Sequence, residues 1–229
     1  MNVKFQYGDG LLMVRKLSML GKEYYFKSYE NMNYVYYGDT LYAFAKSNEF
    51  NKGLFLFGLV KKDFDKWIEN NPNPVFSENY RSYCYSKNNP KGKQYSYDIN
   101  HAFWRIAFNN NYISKSTYEH GLRIKTQNES LKKLYSMALS VQGQSRKLDG
   151  YVDVKGTGKS IIIAKNPIHK DIYNDIRNKT FKTMDDLAFL LKDDFVSYNV
   201  DCITFVNKKN EKIVSEYLTS KSLTFKKIN

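Results

Sequence analysis

From Val3 to Val60 short apolar runs alternate with polar breaks: VKFQY, LLMVRKL, KEYYFKSY, NYVYYG, TLYAFAK and LFLFGLV, separated by Gly, Asn and Asp. Runs of this length, rich in aromatic and β-branched residues and bounded by turn formers, predict strands. KKDFDKWIEN then predicts a short helix, and the proline pair of NPNPVF a linker. Residues 1–90 are expected to form a β-rich N-terminal region. A second break, SKNNPKGKQ, opens a region from 91 to 229 in which strand and helix patterns alternate.

In that second region Tyr95, Tyr97 and Ile99 mark a strand, and His101 to Phe108 the start of an apolar helix. Ser114 caps a short helix expected to end at Gly121. Leu131, Leu134, Tyr135, Ala138 and Leu139 share one helical face within residues 128–142. GYVDVKGTGKSIIIAK predicts a hairpin turning at Gly156-Thr157-Gly158, and PIHKDIYNDIRN and TMDDLAFLLKD predict two helical stretches. FVSYNVDCITFV predicts two strands about a sharp polar point, followed by the helix NEKIVSEYLTS and the strand LTFKKI. The fold class expected is α+β.

Composition narrows the picture. With 229 residues, 42% of them hydrophobic, the chain has the material for a real core. No apolar run approaches the roughly 18 residues of a membrane span, and MNVKFQYGDG lacks an apolar signal core. A cytoplasmic protein without a membrane partner is expected. Cys84 and Cys202 have no CxxC spacing, so they frame neither a disulfide scaffold nor a zinc site. The net charge of +13 divides as +3 over residues 1–90, +6 over 91–150 and +4 over 151–229. A basic surface of this kind favours polyanions, nucleic acid first.

Two carboxylates occupy unusual places. Asp98 sits where a strand hands over to a helix, and Asp201 at the tip of the predicted hairpin. An ionised Asp at a buried strand end needs a metal, a basic partner or a backbone cap to offset its desolvation. Convergence of the two would suit two-metal phosphoryl chemistry, in which divalent ions about 4 Å apart share carboxylate oxygens. The plainer alternative is a helix-capping Asp98 and a turn Asp201, both solvated.

YSYDINHAFWRIA resembles motif A of family B DNA polymerases, a D-x-N-S-x-Y-P turn from strand to helix, in its protein-primed, phage-like branch. The resemblance assigns Asp98 to the metal, Asn100 to the branch's Asn and Phe103 to the aromatic that excludes a ribose 2′-hydroxyl, while His101 and Trp104 depart from the motif's Ser and Pro. SYNVDCITFV resembles motif C, the D-T-D hairpin, with Asp201 at the second Asp and Asn199 in place of the first. LKKLYSMALSVQG lies where motif B would fall, with Lys133 for its triphosphate-binding lysine and without its Asn and Tyr.

The resemblance spans roughly residues 92–228 and implies a polymerase-like palm over 91–229, an antiparallel sheet backed by helices. A short fingers-like insertion is expected at about 101–146. It implies Mg²⁺ or Mn²⁺ held by Asp98 and Asp201, and nucleotide contacts from Phe103, Arg123, Lys125, Lys132 and Lys133. The implied partners are nucleic acid, DNA first, and nucleoside triphosphates. Proofreading exonuclease and thumb are expected to be absent, with a further protein supplying them, in a host cytoplasm if the chain is phage-encoded.

Two other readings stand beside this one. The first is a palm-like protein that binds nucleic acid without catalysis. The second is a metal-dependent nuclease using Asp149, Asp153 and Lys155, whose D…D-x-K string resembles such active sites. Gly158-Lys159-Ser160 is not a phosphate-binding loop, because Asp153 stands where its first glycine belongs and Ile161-Ile162-Ile163 predicts a strand.

Overall fold

The computed structural model describes residues 2–8, 10–77, 84–86, 91–143, 146–153, 158–163 and 167–228. In chain order the first half contains β1 (Asn2–Tyr7), α1 (Leu11–Met19), β2 (Tyr25–Ser28), β3 (Met32–Tyr37), β4 (Thr40–Ala45), α2 (Asn48–Asn70), β5 (Cys84–Ser86), β6 (Gln94–Ile99) and α3 (Ala102–Asn109). There follow α4 (Lys115–Lys125), α5 (Glu129–Met137), β7 (Arg146–Asp153), β8 (Gly158–Ile163), α6 (Pro167–Leu191), β9 (Phe195–Asn199), β10 (Cys202–Val206), α7 (Asn210–Ser220) and β11 (Phe225–Lys227). The class is α+β, as the alternating patterns predict. Two compact units divide the chain, Met1–Lys66 with Glu119–Lys170, and Trp67–Tyr118 with Asp171–Asn229.

The first unit is built on a six-stranded sheet of order β1-β4-β3-β2-β7-β8, antiparallel except for the β1–β4 pair. The hairpin β7–β8, far along the chain, completes the sheet begun by the N-terminal strands. Leu17 of α1 packs with Val35 and Phe44 of the sheet, and Met13 and Val14 join from the same helical face. Gly10 opens α1 at φ 74°, and a side chain there would run into the Phe44 ring.

Two strand expectations are corrected in this unit. LLMVRKL is the helix α1, because Met13, Val14 and Leu17 fall at helical spacing onto the sheet. LFLFGLV is not a strand either: it joins KKDFDKWIEN in the single helix α2. The buried Leu54, Leu56, Phe57, Val60 and Phe64 supply α2's apolar side, and Gly53 marks contact, not a turn. A Cβ at Gly53 would collide with the Leu134 side chain, so the glycine lets α5 approach closely.

The second unit carries a five-stranded, fully antiparallel sheet of order β11-β6-β10-β9-β5. Its strands β6, β9, β10 and β11, with helices between the first two and the last two, follow a split βαβ order, the fourth strand beside the first and the third between first and second. The hairpin β9–β10 with Asp201 at its tip, helix α3 after Asp98 and the final helix and strand all stand as the sequence predicts. Helix α4 runs through Gly121 to Lys125 instead of ending there, and α6 is one helix over both predicted stretches.

One face of this sheet is aromatic: Tyr97 stacks on Phe205 at 5.8 Å, both buried, and at the edge the half-exposed Tyr85 covers the buried Phe195 at 5.6 Å. Helix α6 backs it through Asp185, which accepts from the Tyr198 hydroxyl at 2.5 Å. A buried polar knot braces the unit. Asp175 of α6 accepts hydrogen bonds from Tyr112 (2.5 Å) and from the Ser77 amide (2.7 Å) and hydroxyl, and pairs with Lys179 at 2.7 Å.

Candidate functional site

The opposite face of the five-stranded sheet is polar. Residues directly opposed in antiparallel strands project to the same side. The register therefore lines up Lys226, Asp98, Cys202, Asn199 and Cys84 in one row across all five strands. The next row is made of hydroxyls, Ser96, Thr204, Ser197 and Ser86, with Ser96 Oγ 2.9 Å from Thr204 Oγ1. Period-two alternation in β6 explains the division, since Tyr95, Tyr97 and Ile99 point into the core while Ser96 and Asp98 point away.

Asp201 is brought beside this row by its turn. Asn199 pairs directly with Cys202, leaving Val200 and Asp201 as a two-residue loop. Val200 has φ 53°, a left-handed conformation that disfavours a β-branched residue by about 1–2 kcal/mol. The carbonyl of Asp201 accepts a hydrogen bond from the Ile99 amide at 2.9 Å, one residue beyond Asp98. The two carboxylates act on one neighbour. Burial pushes the Cys202 thiol pKa up, the charges of Asp98 and Asp201 push it further, and Lys226 opposes them.

Asp98 is 25% exposed, and the Lys226 ammonium stands 3.4 Å from its Oδ2. A lysine partner of this kind was not legible in the sequence, because it comes from pairing β11 against β6, 128 positions away. Among the described residues no group of three or more His, Cys, Asp and Glu side chains is gathered as a metal site. Asp98 and Asp201 are hard oxygen donors, the ligand type that Mg²⁺ or Mn²⁺ takes. Both carboxylates act electrostatically on Cys202, one from the facing strand and one from the preceding turn position.

The remaining predicted residues divide between the two units. Phe103 lies half-buried in the first turn of α3, after His101 in a left-handed conformation at φ 57°. The Asn100 amide donates to the Thr224 carbonyl at 2.8 Å, tying this turn to the approach of β11. Arg123, Lys125, Lys132 and Lys133 belong to the other unit. Arg123 is exposed with Nη2 3.1 Å from His120 Nδ1, Lys125 lies 5.5 Å from the Tyr135 ring centroid, and Lys132 pairs with Glu129 at 3.0 Å. Lys133 is exposed on α5. No protein-family model, curated protein sequence or solved structure matches this chain.

Of the nuclease string, Asp149 and Asp153 lie on β7, with Asp153 opposite Tyr25 and Asp149 inside a register irregularity of the β7–β8 pair. Their side chains, and all of Lys155, lie outside what the structure describes, as does the predicted turn at 156–157.

Proposed function

We propose that the chain is a metal-dependent nucleotidyltransferase acting on nucleic acid, with the second unit as a reduced, polymerase-like palm. The observation that carries this reading is the register that sets Asp98 beside the hairpin tip bearing Asp201, on the polar face of a helix-backed sheet. The resemblance of the two stretches to motifs A and C supplies the choice of chemistry. Fold alone does not imply it.

In this reading Asp98 and Asp201 hold Mg²⁺ or Mn²⁺, which supplies activation of an attacking hydroxyl and neutralisation of the triphosphate's charge. The chain's own residues set the rest. The β6–β10 ladder and the Ile99–Asp201 hydrogen bond hold the backbones of the two aspartates side by side, over the stacked rings of Tyr97 and Phe205. Phe103, at the start of α3, stands on the element that follows Asp98, so its ring is the group to limit room at a sugar's 2′ position. The nucleoside monophosphate joins the primer's 3′ oxygen, and pyrophosphate leaves.

A second reading, binding without catalysis, is favoured by two observations. Lys226 already offsets the charge of Asp98, and Asn199 stands in the row where the motif has a carboxylate. Incubating the protein with labelled primer–template, Mg²⁺ and deoxynucleoside triphosphates separates the readings. Lengthened products support transfer, shortened products support the nuclease, and unchanged primer with retained binding supports the second reading.

A further inference from the structure

Helix α2 presents Lys52, Phe55, Lys62 and Lys66 at spacings of three, seven and four residues, which places them on one helical stripe. All four are exposed, and Phe55 retains 58% of its surface in contact with solvent. An exposed phenylalanine within a row of lysines is an odd use of an aromatic. Beside it stands α4, whose His120 ring meets the Phe55 ring edge-on at 5.3 Å. Arg123 donates to His120 Nδ1 at 3.1 Å, which brings a guanidinium to the same place. Burial first, then the Arg123 charge, lowers the pKa of His120, so the imidazole accepts that bond as a neutral ring near pH 7.

The platform under this stripe is firm. Gly53 allows Leu134 of α5 to press against α2, and Gln142 Nε2 donates to the Phe57 carbonyl at 3.0 Å. Lys52 Nζ is itself positioned by Gln127 Oε1 at 3.2 Å. From Lys52 to Lys66 the stripe extends about 21 Å along the helix axis.

We infer that this α2–α4 face of the first unit binds single-stranded nucleic acid, with Phe55 stacking on an unpaired base and Lys52, Lys62, Lys66 and Arg123 meeting the phosphates. The inference rests on the nucleic-acid reading above and deepens it by naming the strand form and the surface. A single strand is chosen because only unpaired bases offer a face to the ring, while the lysines supply charge complementarity along the backbone. A duplex would engage the lysines and leave Phe55 without a role. An acidic protein would satisfy the charges without needing the ring to lie open.

The test is fluorescence anisotropy of a labelled 20-nucleotide oligothymidylate with the full chain, its blunt duplex counterpart and polyglutamate as a competitor. Phe55→Ala is expected to weaken oligothymidylate binding on the order of tenfold, in line with base–aromatic stacking, and Phe55→Tyr to restore it. Lys62→Gln with Lys66→Gln is expected to reduce the salt slope by about 1.4, or roughly 0.7 per lost phosphate contact. Duplex binding should be indifferent to Phe55→Ala. Unchanged oligothymidylate affinity in Phe55→Ala overturns the inference, as does polyglutamate competing equally well in wild type. Asp98→Asn keeps the two conclusions apart: lost extension with retained oligothymidylate binding supports both. Extension by the wild type with no effect of Phe55→Ala on binding sinks this inference alone.

Discussion

The Ile99 amide and the Asp201 carbonyl are joined by a 2.9 Å hydrogen bond that extends the β6–β10 ladder past Cys202 into the hairpin turn. It anchors the loop carrying Asp201 to the strand end carrying Asp98. Neighbouring strands lie only about 4.8 Å apart, so the two aspartates are held on adjacent backbones although 103 positions separate them.

Asp201→Asn and Asp98→Asn preserve shape while each removes one negative charge. Primer extension should fall by several orders of magnitude in either variant, because ion-based stabilisation of the transition state contributes several kcal/mol. Oligonucleotide affinity should stay the same or tighten slightly as a charge repelling phosphate is lost. Extension retained by Asp201→Asn would remove the transferase reading.

Lys226→Gln should make Mn²⁺ bind several-fold more tightly, since the ammonium 3.4 Å from Asp98 both repels and competes with a cation. Isothermal titration reads this directly, without turnover. Weaker binding in the variant would mean that Lys226 orients Asp98 for its ligand. Stability should hardly change, as Lys226 is mostly exposed.

Asp175 links stability to acid. Its burial raises the carboxyl pKa, but hydrogen bonds from Lys179, Ser77 and Tyr112 outweigh that effect and leave it below the ordinary 3.8. A carboxylate lowered in the folded state contributes stability that is complete above the unfolded value and is lost as pH falls through the folded one. Asp175→Asn should cost about 3 kcal/mol at pH 7, as expected when a buried pair loses one charge. It should also lose less further stability than wild type below pH 3.8. Urea melts of both proteins across that range check the sign, and parallel curves would refute it.

Val200→Asn should raise stability by about 0.5–1 kcal/mol, because asparagine tolerates the left-handed φ of 53° that a β-branched residue resists. Thermal melts decide it. A lower midpoint would show that the Val200 side chain is needed for packing at the tip.

Exposed or partly exposed carboxylates at strand ends were visible in the one-dimensional pattern because their flanks alternate with period two. Tyr95, Tyr97 and Ile99 set the phase of β6, which puts Asp98 on the opposite face without reference to any other strand. The tip at Asp201 was equally legible, as a polar point between two apolar runs. LFLFGLV and LLMVRKL were not, for a stretch of seven residues is too short for its period to separate strand from helix. Their conformation follows from partners: α5 against Gly53, and the sheet against Leu17.

Local patterning by itself therefore determined the α+β class, the strand-to-helix turn at Asp98 and the hairpin at Asp201, all of which depend on neighbours within a few residues. Tertiary structure alone decided what those carboxylates face. Lys226 and Cys202 flank Asp98 only because β11 and β10 pair with β6 in one register, and a shift of one residue would turn every side chain of the row to the other face. The same holds for Arg123, Lys125, Lys132 and Lys133, which the chain places after Asp98 but the fold assigns to the unit built on the N-terminal sheet. Long-range pairing energies, shared among many residues on distant segments, set these choices, and no window of the sequence contains them.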